Sequence, residues 1–332
     1  MSRYSIIITM ILVIYLILIN TAAFAAYGID KYKAKNNKWR ISEGFLIFLA
    51  VLGGSLGALA GMRIWHHKTK KSKFRLIPFL AVLLTVCCIF ILYGNYHLVV
   101  TEYDVDLGLE EDIKIVQISD LHNQIFGIDE SILLDRIREQ EPDIIVVTGD
   151  VLDGHHTSYN IGEKFFEGAV NICPVYYITG NHEVYLMNNG DRFSEFLRTI
   201  KSYGVICLDD NFVDMGDYIL AGIGYRSLRS FNAYEPFGDS KPVILLAHDP
   251  KYTELFKDLG ADLVLTGHVH GGQIIIPGIG ALLSPEFRFF PPYYEGTYTI
   301  GYSTLIVSRG LGNSLFPVRI NDCPEIVVVN VH

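Results

Sequence analysis

Three long apolar stretches fill most of the first hundred residues, after which the pattern changes to short apolar runs separated by polar and amphipathic segments. Residues 4–27, 44–62 and 76–93 each approach the roughly 20 residues that carry a helix across a bilayer core. Residues 23–25 read Ala-Phe-Ala and fit a signal-peptidase site, but the apolar stretches that follow favour an uncleaved span. Gly53, Gly57 and Gly61 stand four apart in the second stretch, a spacing that lets helix backbones approach closely. From residue 113 onward, runs at 113–119, 143–148, 175–179, 243–247 and 262–265 read as buried strands. Between them, Asp129 opens a predicted helix carrying Ile132, Leu133 and Ile137, and residues 191–203 and 252–259 predict two more. Residues 304–307 and 326–329 read as further strands without intervening helices. The organisation expected is a membrane domain over residues 1–100 with two to three hydrophobic helical segments, a polar linker over 101–112, and a layered α/β domain over 113–332.

Charge sharpens this division. Residues 1–100 hold 12 Lys/Arg against 2 Asp/Glu, net +10, and the remainder holds 15 against 34, net −19, which together give −9. An acidic globular part without a basic stripe repels polyanions, so nucleic acid is not an expected partner. The five cysteines (Cys87, Cys88, Cys173, Cys207 and Cys323) show no C-x-x-C spacing, so neither a disulfide framework nor a thiolate metal site is expected. The basic residues flank the second apolar stretch on both sides: Lys31 to Arg40 before it and Arg63 to Arg75 after it. Three simple spans would force one of these loops outside, against the positive-inside tendency. If the glycine-rich second stretch is re-entrant, both loops are cytoplasmic and the globular domain emerges outside. Three spans with an inside start also put it outside, and only an outside start puts it in the cytoplasm. The expectation is an integral protein of the cell membrane with an extracytoplasmic globular domain.

The chemistry gathers at strand ends. The run at 113–119 ends in Asp120-Leu121-His122, the next in Gly149-Asp150, the third in Gly180-Asn181-His182-Glu183, the fourth in His248-Asp249 and the fifth in Gly267-His268-Val269-His270-Gly271-Gly272-Gln273. One polar strand end merely stops a hydrophobic run. Five in series, at the ends where open α/β sheets hold ligands, point to a common site. Carboxylate, amide and imidazole donors without thiolate suit hard or borderline divalent cations, namely Mn, Fe, Zn or Mg.

This ordered set, D-x-H, G-D, G-N-H-E, a strand-end His and G-H-x-H, resembles the calcineurin-like metallophosphoesterase family over residues 113–332. The G-H-x-H-G-G-Q form and the tail around Ser308 to Gly312, Val318 to Ile320 and Pro324 to Ile326 resemble its bacterial membrane-associated branch. Asp30-Lys31, Trp39 to Glu43, Gly53-Gly54, Gly57-Ala58, Gly61-Met62 and His67 to Thr69 resemble a small bacterial membrane domain of unknown function, the DUF1294 type, which implies no activity.

The resemblance implies a four-layer α/β/β/α sandwich and two divalent metal ions. Asp150 would bridge them, with Asp120, His122 and His270 completing one site and Asn181, His248 and His268 the other. A water between the cations, its pKa lowered toward neutrality, would be the attacking hydroxide, and His182 would act near the leaving oxygen. Asp153, Asn123 and Glu183 could orient ligands or face water; Arg309 and Arg319 could hold a phosphate or make strand-end salt bridges. His155 and His156 read as solvated loop residues. Phe289, Phe290, Tyr293, Tyr294 and Tyr298 fit ordinary strand packing, or an apolar groove. The function expected is a membrane-anchored phosphohydrolase whose partners are the lipid bilayer and a phosphoester, with a lipid-linked phosphate the substrate that tethering suggests. A non-catalytic metal-binding sensor or scaffold, or a phosphodiesterase of soluble nucleotides, are the alternatives.

Overall fold

A computed structural model describes residues 3–230, 240–284, 288–313 and 318–332, with side chains from residue 10 onward except residue 12. The chain divides into two compact units, Arg3–Leu92 and Tyr93–His332.

The first unit is helical: α1 (Arg3–Lys35), α2 (Glu43–Leu49), α3 (Ser55–Ile64) and α4 (Leu76–Tyr96), which runs on into the second unit. By length and composition Val13–Lys35, Glu43–Ile64 and Ser72–Tyr96 are each apolar enough to cross a membrane, yet the middle one is broken. Gly53 lies at φ 104°, a conformation that only glycine adopts without strain. Asn20 of α1 repairs the break: its Nδ2 donates to Gly53 O at 3.0 Å and its Oδ1 accepts from Gly57 N at 2.7 Å. Ile41 N, just before α2, bonds Asp30 Oδ1 at 3.1 Å, and His67, just after α3, sits 2.7 Å from Asp30 Oδ2. The chain therefore leaves the level of Asp30, turns beside Asn20 and returns to the level of Asp30. The middle stretch is a hairpin, and the two basic loops lie at the same end of α1.

The second unit holds fourteen strands and six helices among the described residues. In chain order these are β1 (Val99–Val105), β2 (Ile113–Ile118), α5 (Ser131–Arg138), β3 (Ile144–Val147), α6 (Tyr159–Ala169), β4 (Val175–Tyr177), α7 (Asn181–Asn188), α8 (Arg192–Tyr203), β5 (Ile206–Cys207), β6 (Asn211–Asp214), β7 (Ile219–Gly222), α9 (Tyr225–Leu228), β8 (Val243–Leu246), α10 (Thr253–Asp258), β9 (Leu263–Thr266), β10 (Ile275–Ile276), β11 (Gly280–Ala281), β12 (Gly296–Ile300), β13 (Ser303–Val307) and β14 (Glu325–Val331). One six-stranded sheet has the order β1-β14-β2-β3-β4-β5 and the other β12-β13-β9-β8-β7-β6. The period of two along each strand decides the layers. Ile144 and Val146 of β3 face Leu220, Ile244 and Leu265 of the opposite sheet, whereas Ile145 and Val147 pack on Leu133, Phe165 and Phe196 of the helices. Tyr225, Leu228 and Phe256 cover the far side of the second sheet. The result is the α/β/β/α sandwich.

Two expectations need correction. The polar linker is partly strand: β1 pairs in parallel with β14 from Val99↔Glu325 to Val105↔Val331, because its backbone completes the sheet edge whatever its polar side chains face. The helix expected from Asp129 begins at Ser131, and Asp129 makes no cap hydrogen bond. Instead the buried Glu130 carboxylate accepts from Phe126 N at 3.0 Å, and Ile132 is exposed while Leu134 joins Leu133 and Ile137 inside.

Candidate metal centre

The neighbouring parallel strands β2, β3 and β4, and in the facing sheet β8 and β9, deliver their carboxyl ends to one place. The loops that follow turn sharply. Asp120, His122, Asp150, His268 and His270 all have φ between 46° and 70°, a region non-glycine residues rarely occupy. Strain gathered in this way on chemistry-bearing residues marks a functional shell. Space is equally restricted: a β-carbon on Gly267 would collide with Ser119 and Asp120, and one on Gly180 with Asp150.

Two groups of donors result. In one, His122 Nε2 lies 3.1 Å from His270 Nε2, and Asp120 Oδ1 lies 3.5 Å from His270 Nε2 and 3.8 Å from His122 Nε2. In the other, His248 Nε2 lies 2.9 Å from Asn181 Oδ1 and 3.2 Å from His268 Nδ1. Asp150 Oδ2 stands between them, 3.5 Å from His122 Nε2 and 3.1 Å from His248 Nε2. Asp120, His122 and His270 could hold a metal ion, as could Asp150, His248 and His268, or His122, Asp150 and His182.

The hydrogen bonds outside the cluster test that fit. His248 Nδ1 is 2.8 Å from Thr148 O and His270 Nδ1 is 3.1 Å from Gly312 O, so each ring proton is drawn to Nδ1 and each Nε2 presents its lone pair to the cluster. Asp120 Oδ2 accepts from Ser119 Oγ and His268 N, while Oδ1 is buried with no hydrogen-bond partner among the described residues. Lone pairs thus converge on lone pairs in a buried place, and only positive charge reconciles them. Without a cation the protons must supply it. Burial would lower the His248 imidazole, but the Asp150 carboxylate overrides this and pushes it up to about 10. Burial would likewise raise Asp120 and Asp150, yet the surrounding imidazoles hold both below the usual carboxylate range. The donor set fits two divalent cations sharing a carboxylate.

His182 stands at the edge of the group, its ring 4.5 Å from that of His122 and perpendicular to it. Gly154 N donates to its Nδ1 at 2.8 Å, which leaves the proton on Nε2. Burial pulls its imidazole down to about 4. Pattern reasoning left Glu183 open, and the structure buries it: its carboxylate accepts from Asp150 N (2.8 Å), Leu152 N (3.0 Å) and Gly180 N (2.8 Å). It thereby clamps the loop after β3 to the loop after β4. Asp153 accepts from the backbone of His155 and His156, and Asn123 donates to His156 O at 3.2 Å, so both hold the loop beside His182.

Arg309 pairs with Glu325 at 2.8 Å, the strand-end alternative. Arg319 is fully buried: it donates to Arg309 O and Gly312 O and pairs with Asp322 at 3.3 Å. It therefore fixes the Gly312 carbonyl that His270 leans on. Asp249, ion-paired with Lys251, lies 3.7 Å from His268 Nε2. The sequence signal available for it was adjacency to His248. The aromatic residues divide: Tyr293 and Tyr298 pack together at 5.0 Å, while Phe289 and Phe290 are exposed.

Comparisons with known proteins agree with this geometry. The family described as calcineurin-like phosphoesterase matches residues 113–272, and the family described as a protein of unknown function (DUF1294) matches residues 20–74. The chain is 31% identical over 240 residues to the Bacillus subtilis protein called uncharacterized metallophosphoesterase YkuE, covering 66% of this chain and 78% of that one. It is 27% identical over 226 residues to phosphodiesterase YaeI of Escherichia coli, covering 66% and 82%. The amino-terminal part is 47% identical over 75 residues to the uncharacterized protein YsdA of Bacillus subtilis, covering 22% of this chain and 84% of that one.

Proposed function

We propose that this chain, which belongs to the calcineurin-like phosphoesterase family and is a metal-dependent phosphoester hydrolase, works as an integral membrane enzyme on lipid-linked phosphoesters. The observation that carries the catalytic reading is the position of Asp150 Oδ2, within 3.5 Å of His122 Nε2 on one side and 3.1 Å of His248 Nε2 on the other. Asp120, His122 and His270 would hold one cation and Asn181, His248 and His268 the other, with Asp150 shared; the oxygen and imidazole donors suit Mn, Fe or Zn, and Mg less closely. Bound there, the pair supplies Lewis-acid activation of water and of the phosphoryl oxygens. The chain's own residues do the rest. Thr148 O and Gly312 O fix the tautomers of His248 and His270, and Glu183 holds the two ligand loops in register. His182, its Nδ1 occupied by Gly154 N–H, turns an Nε2–H donor toward the departing oxygen.

The lipid-linked substrate rests on a separate observation. The last turn of α4 belongs to the catalytic unit: Gly94 presses on the Arg319 backbone, where a β-carbon would collide with the carbonyl oxygen, and Asn313 Nδ2 donates to Asn95 Oδ1 at 2.9 Å. Asn313 adjoins Gly312, the residue that steadies His270. The residues that directly follow the apolar stretch of α4 therefore pack within a few residues of the candidate ligand shell. The hairpin supports the orientation. Eleven Lys/Arg between residues 31 and 75 flank its two ends, which marks that side as cytoplasmic. The 21 residues of α4, about 32 Å at the helical rise, would carry the chain to the outer side.

The test uses the full chain in lipid vesicles with Mn. Hydrolysis of an aryl phosphodiester that disappears in Asp150→Ala and His268→Ala supports the mechanism, and activity surviving both variants overturns it. Faster turnover of soluble nucleotides than of vesicle-borne phosphoesters overturns the lipid-linked substrate alone.

A further inference from the structure

We infer that the two basic loops of the amino-terminal unit form a binding site for the phosphate of an anionic phospholipid headgroup. This site is independent of the phosphoesterase centre. A cleft of about 460 Å³ opens there, lined by Trp39, Arg40, Ile41, Ser42, Glu43 and Lys68. Its floor is built, not incidental. The fully buried Asp30 carboxylate accepts from Arg40 Nε (3.2 Å) and Nη2 (2.8 Å) and from Ile41 N, and it pairs with His67 and with Lys68 Nζ at 3.1 Å. Glu43 pairs with Lys68 at 3.4 Å and with Lys71. Three permanent cations (Arg40, Lys68 and Lys71) therefore face two carboxylates, leaving one positive charge over.

That surplus is held ready for an anion. Arg40 uses Nε and Nη2 on Asp30, and among the described residues its Nη1 makes no hydrogen bond; its side chain is 43% exposed. A guanidinium locked along one edge with the other edge in the cleft is preorganised for a phosphate oxygen. Ser42 Oγ accepts from Phe45 N, so its hydroxyl proton remains to be given.

Position identifies the occupant. Residues 39–43 immediately precede the apolar hairpin and Lys68 shortly precedes α4, so the cleft lies where hydrocarbon gives way to water. Trp39, 92% exposed at its rim, is the residue type that sits at headgroup level. The excess of Lys/Arg assigns this face to the cytoplasmic leaflet, whose anionic lipids basic pockets between helices recognise. A phosphodiester headgroup satisfies both the surplus charge and the depth.

Trp39 and Trp65 are the only tryptophans in the chain, which makes a direct test available. The full-length Trp65→Phe protein is reconstituted in phosphatidylcholine vesicles containing a small fraction of brominated phosphatidylglycerol or, separately, brominated phosphatidylcholine. The expected result is markedly stronger quenching of Trp39 by the brominated phosphatidylglycerol. The preference should fall about fivefold in Arg40→Gln and again in Lys71→Gln, the factor expected of one cation at the surface. Hydrolysis of a soluble phosphoester by the same preparations reports that the protein is intact. Equal quenching by the two lipids overturns the proposal, as does a preference unchanged in both variants. Loss of the preference on adding millimolar inorganic phosphate makes the site one for free phosphate and overturns the lipid as its occupant.

Discussion

Two buried clusters of charge, one in each unit, are solved in opposite ways. Around Asp30 every partner is a donor: a guanidinium, an ammonium, an imidazole and a backbone N–H converge on one carboxylate, which the chain's own groups satisfy. Around Asp150, Oδ1 accepts from His182 N, but the side-chain atoms nearest Oδ2 are the Nε2 nitrogens of His122 and His248, and the His248 ring proton is drawn away to Thr148 O. That arrangement suits a cation between them. Buried acids are common to both, so burial alone does not mark a metal site. The sign of the neighbours does. A carboxylate with both oxygens met by donors is a fastening, and one that turns an oxygen toward imidazole lone pairs is a candidate ligand.

The largest expected effect breaks the Asp150 cluster. Asp150→Ala should lower kcat/KM on an aryl phosphodiester by about 10³-fold or more, and metal analysis should find fewer than two ions per chain; unchanged stoichiometry would show that Asp150 is not shared. Asp30→Ala strikes the other cluster. Removing one partner of a buried ion network costs about 3–5 kcal/mol, so thermal unfolding of the membrane unit in detergent should move down sharply. Turnover of a soluble ester by the surviving fold should change little. If Asp30→Ala instead removed metal and activity together, the contrast between the clusters would collapse.

His182→Ala should reduce kcat by about 10²-fold or more with little change in metal content, since it removes a positioned donor rather than a ligand. A parallel loss of bound metal would reassign it as a ligand. Glu183→Gln should cost about 10- to 100-fold, the range for groups that orient metal ligands. Gln keeps one acceptor oxygen but cannot serve the amides of Asp150, Leu152 and Gly180 together.

The two regions also differ in how much of them could be read from residues alone. The catalytic strands were legible because their apolar runs are short and each stops at a polar residue; the α/β/β/α layering was implied by the family resemblance alone, since a run such as Ile144 to Val147 is apolar on both faces. The residues Asp120, His122, Asp150, Asn181, His248, His268 and His270 stood out as strand-end residues, and the structure brings them together. What could not be read was the clamp around them. Glu183 and Arg319 act on backbone atoms of distant loops, and no local pattern announces a backbone partner. β1 was missed because its pairing with β14 joins residues more than 220 apart, and Thr-Glu-Tyr-Asp reads as solvated chain. In the membrane unit, composition gave three apolar segments but could not distinguish a crossing helix from a hairpin. The Gly53-Gly54 pair permits both, and the choice depends on Asn20, more than thirty residues away.

The smallest predicted effect tests that choice. Asn20 satisfies two backbone groups freed where the helix breaks, the Gly53 carbonyl and the Gly57 amide, and it also bonds Leu16 O at 2.8 Å within its own helix. In hydrocarbon no water can replace it, so Asn20→Ala strands one donor and one acceptor. Polar contacts between helices in membranes average well under 2 kcal/mol each, so the variant should lose about 1–2 kcal/mol, seen as a modest fall in the unfolding midpoint in detergent. The more telling readout is topological. With Asn20 gone, the hairpin loses the group that makes its turn tolerable, and residues 43–64 become free to form one continuous span. Cysteines placed at Lys38 and Lys70 should react with a membrane-impermeant maleimide from the same side in the parent protein. If they already react from opposite sides there, the middle segment crosses the bilayer, and the proposed orientation fails together with the shared headgroup cleft.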